Sequence, residues 1–311
     1  MAGEVIPTII DTPDVNRGTS NVALPAEVSA EIWGATLEES AIMQLARRIT
    51  LPGPGITVQT ITGEPSAAWV DETDPKPVSA HTFGKKTITP YKLAVIEPFS
   101  MEFMRDKAAL YNECVNRLPK AIAKKFDGTI MGTVAPGSGF DVLGSCSSIS
   151  LVPGAGKTVY DQFVAADAAI AAADGIMDGI ALAPQGKSIV LGATDGQDRP
   201  LFTAGPESNT VGSILGAKVL VNKGVYVAAL GAAPTVGIAG DWSDAVYGIV
   251  EGINLDISKD ATLVTDDGII ALWQQNMVAV RVEVEIGFAV KSASEFVLLK
   301  GEAAGGSTGQ S

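Results

Sequence analysis

The sequence is poor in the residues that build catalytic and metal sites. Its 311 residues include one histidine, His81, and two cysteines, Cys114 and Cys146. One histidine and two scattered cysteines cannot build a zinc site of the ordinary type, and a Ser–His–Asp or Cys–His arrangement would have only His81 to use. Two cysteines are too few for a disulfide framework, so we expect two reduced thiols. We therefore predict a protein without a cofactor or metal that is not an enzyme.

Charged residues are scarce, and acidic residues outnumber basic ones. Only 18% of the residues are charged, 46% are hydrophobic, and the net charge is −13. The mean hydropathy is +0.26. A monomer with so few charges would expose apolar surface, so the chain either inserts into a membrane or buries surface against other chains. The negative charge argues against a nucleic-acid binder, because affinity for phosphate backbones comes mainly from clustered Lys and Arg.

Long hydrophobic runs are also missing. The most apolar stretch, Val225 to Gly240, carries no charge, but Gly231, Pro234 and Gly237 interrupt it and it is short for a membrane span. The first residues, Met1 to Asp11, do not form a basic, apolar leader before a cleavage site. We expect a soluble protein, made inside the cell, that buries its apolar surface by assembly.

The strongest pattern is helical and runs from Ser100 to Gly132. Apolar residues recur every three or four positions and form one stripe; they are Met104, Ala108, Tyr111, Val115, Leu118, Ile122, Phe126 and Ile130. Ser100 is a suitable N-cap, and Pro119 predicts a kink because proline lacks a backbone donor. At ~1.5 Å per residue the helix would be roughly 45 Å long, which suits the spine of an extended subunit.

Three segments precede this predicted spine helix. Residues 1–25 lack periodicity and contain several prolines, which is typical of an extended arm. Residues 26–49 show helical spacing in two pieces. Residues 50–98 predict a long β-hairpin: Ile56 to Thr60 alternates on the outward strand, and Phe83 to Val95 is strand-like on the return. A two-stranded arm is marginal in water on its own, so we expect it to lie on another subunit.

Beyond the spine helix, residues 133–243 predict a second, inserted domain. A stretch rich in Gly, Ser and Pro opens it, and an alanine-rich helix follows from Tyr160 to Ala173. Short apolar runs among glycines then predict strands; these runs are Ser188 to Gly192, Ala217 to Val221, Val225 to Ala229 and Thr235 to Ala239.

Residues 244–300 return to longer strands, and the clearest is Met277 to Val290. Its even-numbered residues are all apolar and its odd-numbered residues include three charges, so we predict one buried and one polar face. Two shorter strands are predicted before it, at Ala245 to Glu251 and Ile253 to Ser258. The long strand packed along the spine helix gives an α+β plan. The Gly/Ser-rich tail, residues 301–311, is expected to be mobile.

Two short patterns resemble ligand sites, and we interpret both differently. Pro153 to Thr158 contains Gly-Lys-Thr before a helix, but leucine replaces the glycine that should open a phosphate-binding loop, so we predict no nucleotide site. Lys120, Lys124 and Lys125 form a basic patch on the spine helix. Without interleaved aromatic residues, this patch indicates a solvated face with subunit contacts.

A third pattern is the acidic hairpin tip that contains Asp71, Glu72 and Asp74. It lacks the ligand spacing of a calcium loop, and acidic loops are common, so we do not predict a cation site there.

Several motifs occur in a recognisable order. The loop carries Ala67-Ala68-Trp69-Val70-Asp71-Glu72, Lys76-Pro77 and Thr82-Phe83; the spine helix opens with Ser100-Met101-Glu102-Phe103-Met104-Arg105-Asp106 and closes with Phe126-Asp127 and Gly132; Leu215-Gly216-Ala217-Lys218-Val219 and Gly240-Asp241-Trp242 follow. From about residue 25 to 300, this order resembles the major capsid proteins of tailed bacteriophages, whose fold is shared with encapsulins and the herpesvirus capsid floor.

The resemblance implies an α+β phage major-capsid fold with a defined division of the chain. Its parts are an N-terminal arm (1–25), short helices of the peripheral domain (26–49), an extended β-hairpin loop (50–98), the spine helix (99–132), an axial domain (133–243), long strands of the peripheral domain (244–300) and a mobile tail (301–311).

Some members of this family weld neighbouring subunits by an isopeptide bond between a loop lysine and a peripheral-domain asparagine, helped by a glutamate. Lys76, Asn276 and Glu283 match these positions. A lysine attacks a carboxamide only when unprotonated, so Glu283 would act as the base and ammonia would leave. Positions 276 and 283 point to opposite faces of a regular strand, so one subunit should not supply both to one site. The alternative, that all three are ordinary surface residues, stays open.

The resemblance implies a virion structural protein, the major capsid subunit of a tailed phage. It would be assembled in the bacterial host cytoplasm as pentamers and hexamers of an icosahedral shell around double-stranded DNA, without a membrane. Expected partners are further copies, the portal protein, a decoration protein and, because the segment before the first predicted helix is short, a separate scaffolding protein. The alternatives are an encapsulin-type compartment and a soluble enzyme with an insertion domain. The set of Lys76, Asn276 and Glu283 favours the phage interpretation over the encapsulin.

Overall fold

The structure, a computed structural model, contains one long helix, one long strand and many short elements. It describes residues 36, 40–62, 69–70, 82–102, 107–154, 156–194, 199, 201–202, 212–229, 232–265 and 268–302. The strands are β1 (Arg47–Thr50), β2 (Ile56–Thr62), β3 (Thr82–Ile88), β4 (Tyr91–Ser100), β5 (Ser147–Ser150), β6 (Gly179–Leu182), β7 (Ser213–Ile214), β8 (Ala217–Val221), β9 (Thr235–Gly240), β10 (Ala245–Ile249), β11 (Asn254–Ser258), β12 (Thr262–Thr265), β13 (Gly268–Ala271), β14 (Met277–Val290) and β15 (Phe296–Lys300). The helices are α1 (Ala41–Leu45), α2 (Lys107–Ile130), α3 (Val159–Ala171) and α4 (Pro184–Leu191), with 3₁₀ turns at Lys223–Val225, Trp242–Asp244 and Ala293–Glu295.

The long strand β14 organises a five-stranded sheet. Strand β4 pairs with it antiparallel along one edge, from Met277 opposite Ser100 to Ile286 opposite Tyr91. Strands β11 and β10 share its other edge, one after the other, and β1 lies parallel to β10. The bounds of β14 are those that the alternation of apolar residues predicts, because a strand buried on one face needs that two-residue period.

One face of β14 packs on the spine helix α2. The even-numbered residues of the strand are all buried. The Phe288 ring lies 6.4 Å from the Phe126 ring of α2, nearly perpendicular to it, and Phe140, from the segment after the helix, contacts both rings. The described side chains of the predicted stripe are buried as well; they are Leu118, Ile122, Phe126 and Ile130. The predicted packing of helix on strand is confirmed.

The spine helix ends close to its predicted position. Ser100 is the last residue of β4, residues 101–102 are helical, residues 103–106 lie outside the described ranges, and α2 runs from Lys107 to Ile130. The helix therefore ends two residues before Gly132. Pro119 lies inside it, and the kink there remains a prediction. The side chains of the other stripe residues lie outside the described part; they are Met104, Ala108, Tyr111 and Val115.

The second face of β14 is polar for only part of its length. Arg281, Glu283 and Glu285 face away from α2, but further along the strand Gly287 and Ala289 are buried on this face too. Leu51 and Ile88, which flank the β2–β3 hairpin, cover that end of the sheet. The predicted polar face is thus confirmed near the three charges and replaced by a small apolar core beyond them.

The predicted hairpin return is wrong in one respect. The strand expected from Phe83 to Val95 is two strands, because the chain breaks at Pro90, which cannot donate to a ladder. Strand β3 pairs with β2, from Ile56 opposite Ile88 to Thr62 opposite Thr82. Strand β4 instead joins the five-stranded sheet, so the free arm is shorter than the predicted 50–98.

The helical prediction for residues 26–49 also needs correction. Residues 1–35 lie outside the described part, so the predicted arm and the first helical piece cannot be placed. In the second piece, the helix α1 covers only Ala41–Leu45, with Ser40 as its N-cap. Ile49, which continues the helical spacing, belongs to β1 instead, where pairing with β10 outweighs the local period.

A six-stranded sheet forms the second layer of structure. Its order is β5-β15-β9-β6-β8-β7, with β15 parallel to β5 and β6 parallel to β8. Phe163 and Ile170 of α3 are fully buried in a cluster with side chains of this sheet. The predicted helix from Tyr160 to Ala173 is confirmed to within two residues as α3, and two predicted strands are confirmed as β8 and β9.

Two predicted strands in this region are wrong. Residues 188–192 fall mainly in α4, whose first residue is Pro184, a helix position that suits proline. The prediction failed because a short apolar run is equally compatible with a helix and with a strand. At 225–229 the chain forms a 3₁₀ turn that ends at Val225, followed by a single bridge between Val227 and Thr235.

Three connections join the two sheets: α2 to β5, β9 to β10, and β14 to β15. Strand β15 therefore lies in the six-stranded sheet, whereas the sequence analysis grouped it with the strands of 244–300. The main hydrophobic cluster draws side chains from both sheets, including Phe288 from one and Ile238 and Leu298 from the other. The two sheets thus share one core.

Replacing Phe288 by alanine is expected to lower the free energy of unfolding by about 3–5 kcal/mol, because the change empties a fully buried site among aromatic rings. Chemical denaturation of the unassembled full chain measures the effect. Val134→Ala, at a side chain that is 80% exposed, is the control and should change stability by less than about 0.5 kcal/mol. Equal effects of the two substitutions would contradict the central place of Phe288.

Candidate intersubunit surface

Glu283 lies in the middle of β14, on the face of the sheet opposite the spine helix. Because side chains alternate along a strand, burial of Val282 and Val284 turns Glu283 outward. Strands β11 and β4 flank it, with Asn254 directly opposite on one side and Ala94 on the other. The Glu283 side chain is 18% exposed. A partly exposed carboxylate therefore lies at the centre of this outer face of the sheet.

Two cations contact the Glu283 carboxylate. Lys92 Nζ lies 3.4 Å from Oε2, and Arg281 Nε lies 3.4 Å from Oε1. Arg281 also donates to Asp256 Oδ2 at 2.6 Å, and this hydrogen bond raises the pKa of the guanidinium, which stays cationic. Lys92 Nζ also lies 4.0 Å from Glu285 Oε1. In the single chain Glu283 is therefore a paired anion, and an incoming lysine would compete with Lys92 and Arg281 for its oxygens.

Asn276 is the last residue of the turn that leads into β14. Its φ is +52°, a left-handed conformation that Asn adopts more readily than most residues. Its backbone carbonyl accepts a hydrogen bond from Met101 N at 2.8 Å, and its side chain is exposed. Seven residues of extended chain separate it from Glu283, roughly 23 Å. Within one chain, the structure does not bring these two predicted site residues together.

The predicted nucleophile, Lys76, lies outside the described residues, and so do the acidic hairpin tip of Asp71, Glu72 and Asp74 and the single histidine, His81. The strands that lead to this tip are described. Among the described strands, β2 and β3 pair only with each other. Trp69, at the edge of the tip, is fully exposed. The position of Lys76 remains a prediction.

The solvent face of the spine helix borders two clefts. One, of about 600 Å³, is lined by Lys124, Lys125 and the chain from 132 to 136. The other, of about 430 Å³, lies between α2 and β4, where Arg117 is 3.8 Å from Glu97. Both clefts combine cationic and apolar side chains. The predicted contacts of the basic patch with other subunits remain a prediction.

A buried carboxylate, Asp127, ties the chain before β1 to the spine helix. It accepts hydrogen bonds from Ser40 Oγ at 2.6 Å and from Ala41 N at 3.1 Å. Burial raises the pKa of Asp127 to about 7, although the hydrogen bonds from Ser40 and Ala41 act in the opposite direction. In the sequence, Asp127 stands out only as part of the Phe126-Asp127 helix end. Its partner lies 87 positions away, and no local pattern connects the two.

The Gly-Lys-Thr pattern before α3 has a structural explanation. Thr158 and Asp161 form a capping box: Thr158 Oγ1 accepts from Asp161 N at 3.3 Å, and Asp161 Oδ2 accepts from Thr158 N at 2.7 Å. The hydrogen bonds from Thr158 lower the pKa of Asp161. The threonine is thus used to start a helix.

Two kinds of feature are absent from the described ranges. Those residues contain no group of three or more His, Cys, Asp or Glu arranged to hold a metal ion. None of the helices within them has the length and apolarity that a membrane crossing requires.

Comparison with known proteins decides the family. A family model described as "Phage capsid family" matches residues 20–301. The chain belongs to this family. "Probable major capsid protein gp17" of Mycobacterium phage D29 is 29% identical over 299 residues, 92% of each chain. A solved structure from Mycobacterium phage Adephagia matches with a TM-score of 0.67 at 20% identity, over 85% of this chain and 91% of that one. Another, the capsid of a native GTA particle computed with C5 symmetry, has a TM-score of 0.58 at 14% identity, over 94% and 96%.

Family membership confirms the resemblance drawn from the loop and spine-helix motifs. The protein is a structural capsid protein of the tailed-phage type, and its location is the virion. The α+β fold agrees with that of the solved capsid chains. The interpretation as a soluble enzyme with an insertion domain is therefore wrong.

Asp127 is expected to make stability depend on pH. Its pKa is raised from 3.8 to about 7 in the folded chain, so the folded state binds the proton more tightly than the unfolded state, and stability falls as the pH rises from about 4 past about 7. The Asp127→Asn variant cannot ionise, so the stability advantage of the wild type over it should shrink across this window, by on the order of 1 kcal/mol or more. Denaturation of the full chain at several pH values measures the difference.

Asp260→Asn, at an exposed position, is the matched control and should change stability by less than about 0.5 kcal/mol. A difference between wild type and Asp127→Asn that stays constant with pH would contradict the assignment.

Proposed function

We propose that copies of this capsid protein assemble as pentamers and hexamers into an icosahedral shell around double-stranded DNA. The observation that supports assembly most directly is the β2–β3 arm. Its strands pair only with each other within the described part of the chain, and such a ribbon needs another surface to be stable. The arm of one copy would lie on the sheet or spine helix of the next.

A second hairpin supports the same proposal. Strands β12 and β13 form a separate two-stranded sheet in which Val264 is directly opposite Ile269. Both side chains are largely exposed, and so is Trp273 in the turn that follows. Adjacent exposed apolar side chains on a marginal ribbon are typical of a surface that another subunit covers.

We further propose that the shell is welded by isopeptide bonds. Lys76 Nζ of one copy attacks Asn276 Cγ of a second, the new C–N bond replaces the carboxamide C–N bond, and ammonia leaves. Glu283 of a third copy accepts the lysine proton and returns it to the leaving ammonia. The exposure of Asn276 and its separation from Glu283 along one chain are compatible with contributions from different subunits.

The further partners that we propose are the portal protein, a separate scaffolding protein and a decoration protein. Their support is the family resemblance. Electron microscopy of purified particles tests the shell itself: a closed shell tens of nanometres across with dense DNA inside is expected. A shell filled with protein cargo would favour an encapsulin-type compartment instead, and a small discrete oligomer would contradict assembly.

A reducing, fully denaturing gel of purified particles tests the weld. A ladder above 32.0 kDa is expected for the wild type, because covalent multimers survive denaturation. The ladder should collapse to the monomer in Lys76→Arg and in Asn276→Ala, since each removes one end of the bond.

Asn254→Ala is the matched control, because Asn254 is another exposed asparagine of the same sheet, opposite Glu283. Its ladder should persist. A single monomer band in the wild type would contradict the proposed cross-link but not the proposed shell. A ladder that persists in Lys76→Arg would show that another lysine forms the bond.

A further inference from the structure

The β2–β3 arm meets the five-stranded sheet beside the chain that follows the spine helix. Residues 137–141 of this chain lie against the root of the arm, where β3 ends and β4 begins. Thr89, one of the two residues between these strands, donates from its backbone N to Gly139 O at 2.9 Å. Tyr91, the first residue of β4, donates from its hydroxyl to Ser138 O at 2.7 Å. We call residues 137–141 the anchor segment.

The anchor segment has a fixed place on the five-stranded sheet. The ring of Phe140 contacts that of Phe288 in β14, with 6.3 Å between the centroids. Asp141 N donates to Phe288 O at 3.0 Å, and Val290 N donates to Asp141 Oδ2 at 2.9 Å. The backbone and the side chain of Asp141 are thus both bound to the end of β14.

The anchor segment and the root of the arm are in direct contact. Gly139 has a φ of +78°, a conformation that favours glycine. A Cβ atom added there would lie 2.5 Å from Thr89 Oγ1 and 3.2 Å from Thr87 O. No side chain therefore fits between the two segments, and the root of the arm lies against chain that is itself bound to β14.

Lys86 adds a charged contact between the arm and the anchor segment. Its Nζ lies 2.6 Å from Asp141 Oδ2, and the two side chains are 36% and 26% exposed. Lys86 shares a face of β3 with the buried Ile88, whereas Lys85 points to the opposite face and is exposed. The ion pair therefore attaches the arm at a second point, further out than Thr89.

We propose that Lys86 and Asp141 form a latch that fixes the direction of the β2–β3 arm, so that Lys86 is a positioning residue for the contact of the arm with the next subunit. Without the latch, the arm is a two-stranded ribbon joined to the rest of the chain by residues 51–55 and 89–90. Such a ribbon can swing about its root. Two points of attachment define a direction that one point does not.

The consequence for assembly rests on the proposed function. An arm that swings must lose that freedom when it docks on a neighbouring subunit, and the lost entropy opposes docking. A latched arm has lost it already. The latch itself is cheap to close, because Val290 N already holds the Asp141 carboxylate and only the Lys86 side chain has to be ordered.

Distances between two spin labels in the unassembled full chain test the latch. The labels are placed at Thr62→Cys, at the far end of β2, and at Lys125→Cys on the spine helix, with Cys114 and Cys146 replaced by alanine. A narrow distribution of distances is expected for the otherwise unchanged chain. Lys86→Gln should broaden the distribution by about twofold or more, because the arm then swings.

Two variants and one further measurement separate the latch from a general structural role. Lys85→Gln, a neighbouring exposed lysine of the same strand, is the matched control and should leave the distribution narrow. Lys86→Arg keeps the ion pair and should leave it narrow too. Since a partly exposed ion pair contributes little to overall stability, Lys86→Gln should lower Tm by less than about 3 °C.

Three results would overturn the latch. They are a broad distribution in the unchanged chain, an equally narrow one in Lys86→Gln, and a broadening in Lys86→Gln that comes with a larger fall in Tm.

The rate of particle assembly, followed by light scattering, tests the positioning role of Lys86. Lys86→Gln should assemble several-fold more slowly than the wild type, and Lys85→Gln should assemble at the wild-type rate. Equal rates for Lys86→Gln and the wild type would overturn the positioning role. A wild type that forms no particles would contradict the proposed function and the positioning role together, whereas the distance measurement still decides whether the latch exists.

Discussion

The contact between β14 and α2 is the interaction on which the other described elements depend. The even-numbered side chains of the strand from Val280 to Val290 belong to the same core cluster as the buried side chains of the helix. Phe126, Phe140 and Phe288 meet where helix, strand and the following loop converge. β4, β10 and β11 are all held by pairing with β14 itself. Burial of aromatic and branched side chains is the main source of stability in such a layer. The strand β14 therefore positions four neighbours, which are α2, β4, β10 and β11.

This arrangement explains which surface is left for other subunits. Burying one face of β14 on α2 forces the charged residues of the strand onto the opposite face, and the small apolar core around Leu51 covers only one end of it. The remaining area is a strip of charges between β4 and β11, close to the edge of β4 that pairs with no other described strand. Some apolar side chains are exposed on hairpins that leave the core, such as Val264 and Ile269. The charged strip and these hairpins are therefore two surfaces that remain available to other subunits.

The sequence was most informative where structure is set by neighbours along the chain. The alternation over Met277–Val290 located β14 to the residue, and the helical stripe located α2, because both periods are local and each element buries one face. Interactions between distant residues left no such trace. The bond between Ser40 and Asp127 and the pairing of Phe296–Lys300 with the six-stranded sheet depend on the finished fold. For the candidate site, motif resemblance supplied Asn276 and Glu283, and the two-residue period places Arg281 on the same face of the strand as Glu283. The contact with Lys92 depends on the cross-strand register of β4 and β14, which the linear pattern does not contain.

The ion pairs of Glu283 constrain how a cross-link could form. A lysine ammonium approaching the sheet is attracted by a carboxylate, yet it must lose its proton before it can attack an amide, and a cationic neighbourhood favours that loss. Lys92 and Arg281 provide such a neighbourhood, but they also occupy the Glu283 oxygens that would accept the proton. The site needs both a nearby cation and a free carboxylate, and it has both if the incoming chain displaces Lys92. The Lys92 ammonium is the more exposed of the two partners and its contact with Glu283 is long, at 3.4 Å. Arg281 stays in place because Asp256 holds it at 2.6 Å. Glu283 would then be freed as a base only after a neighbouring subunit has docked, so the chemistry would be confined to the assembled shell.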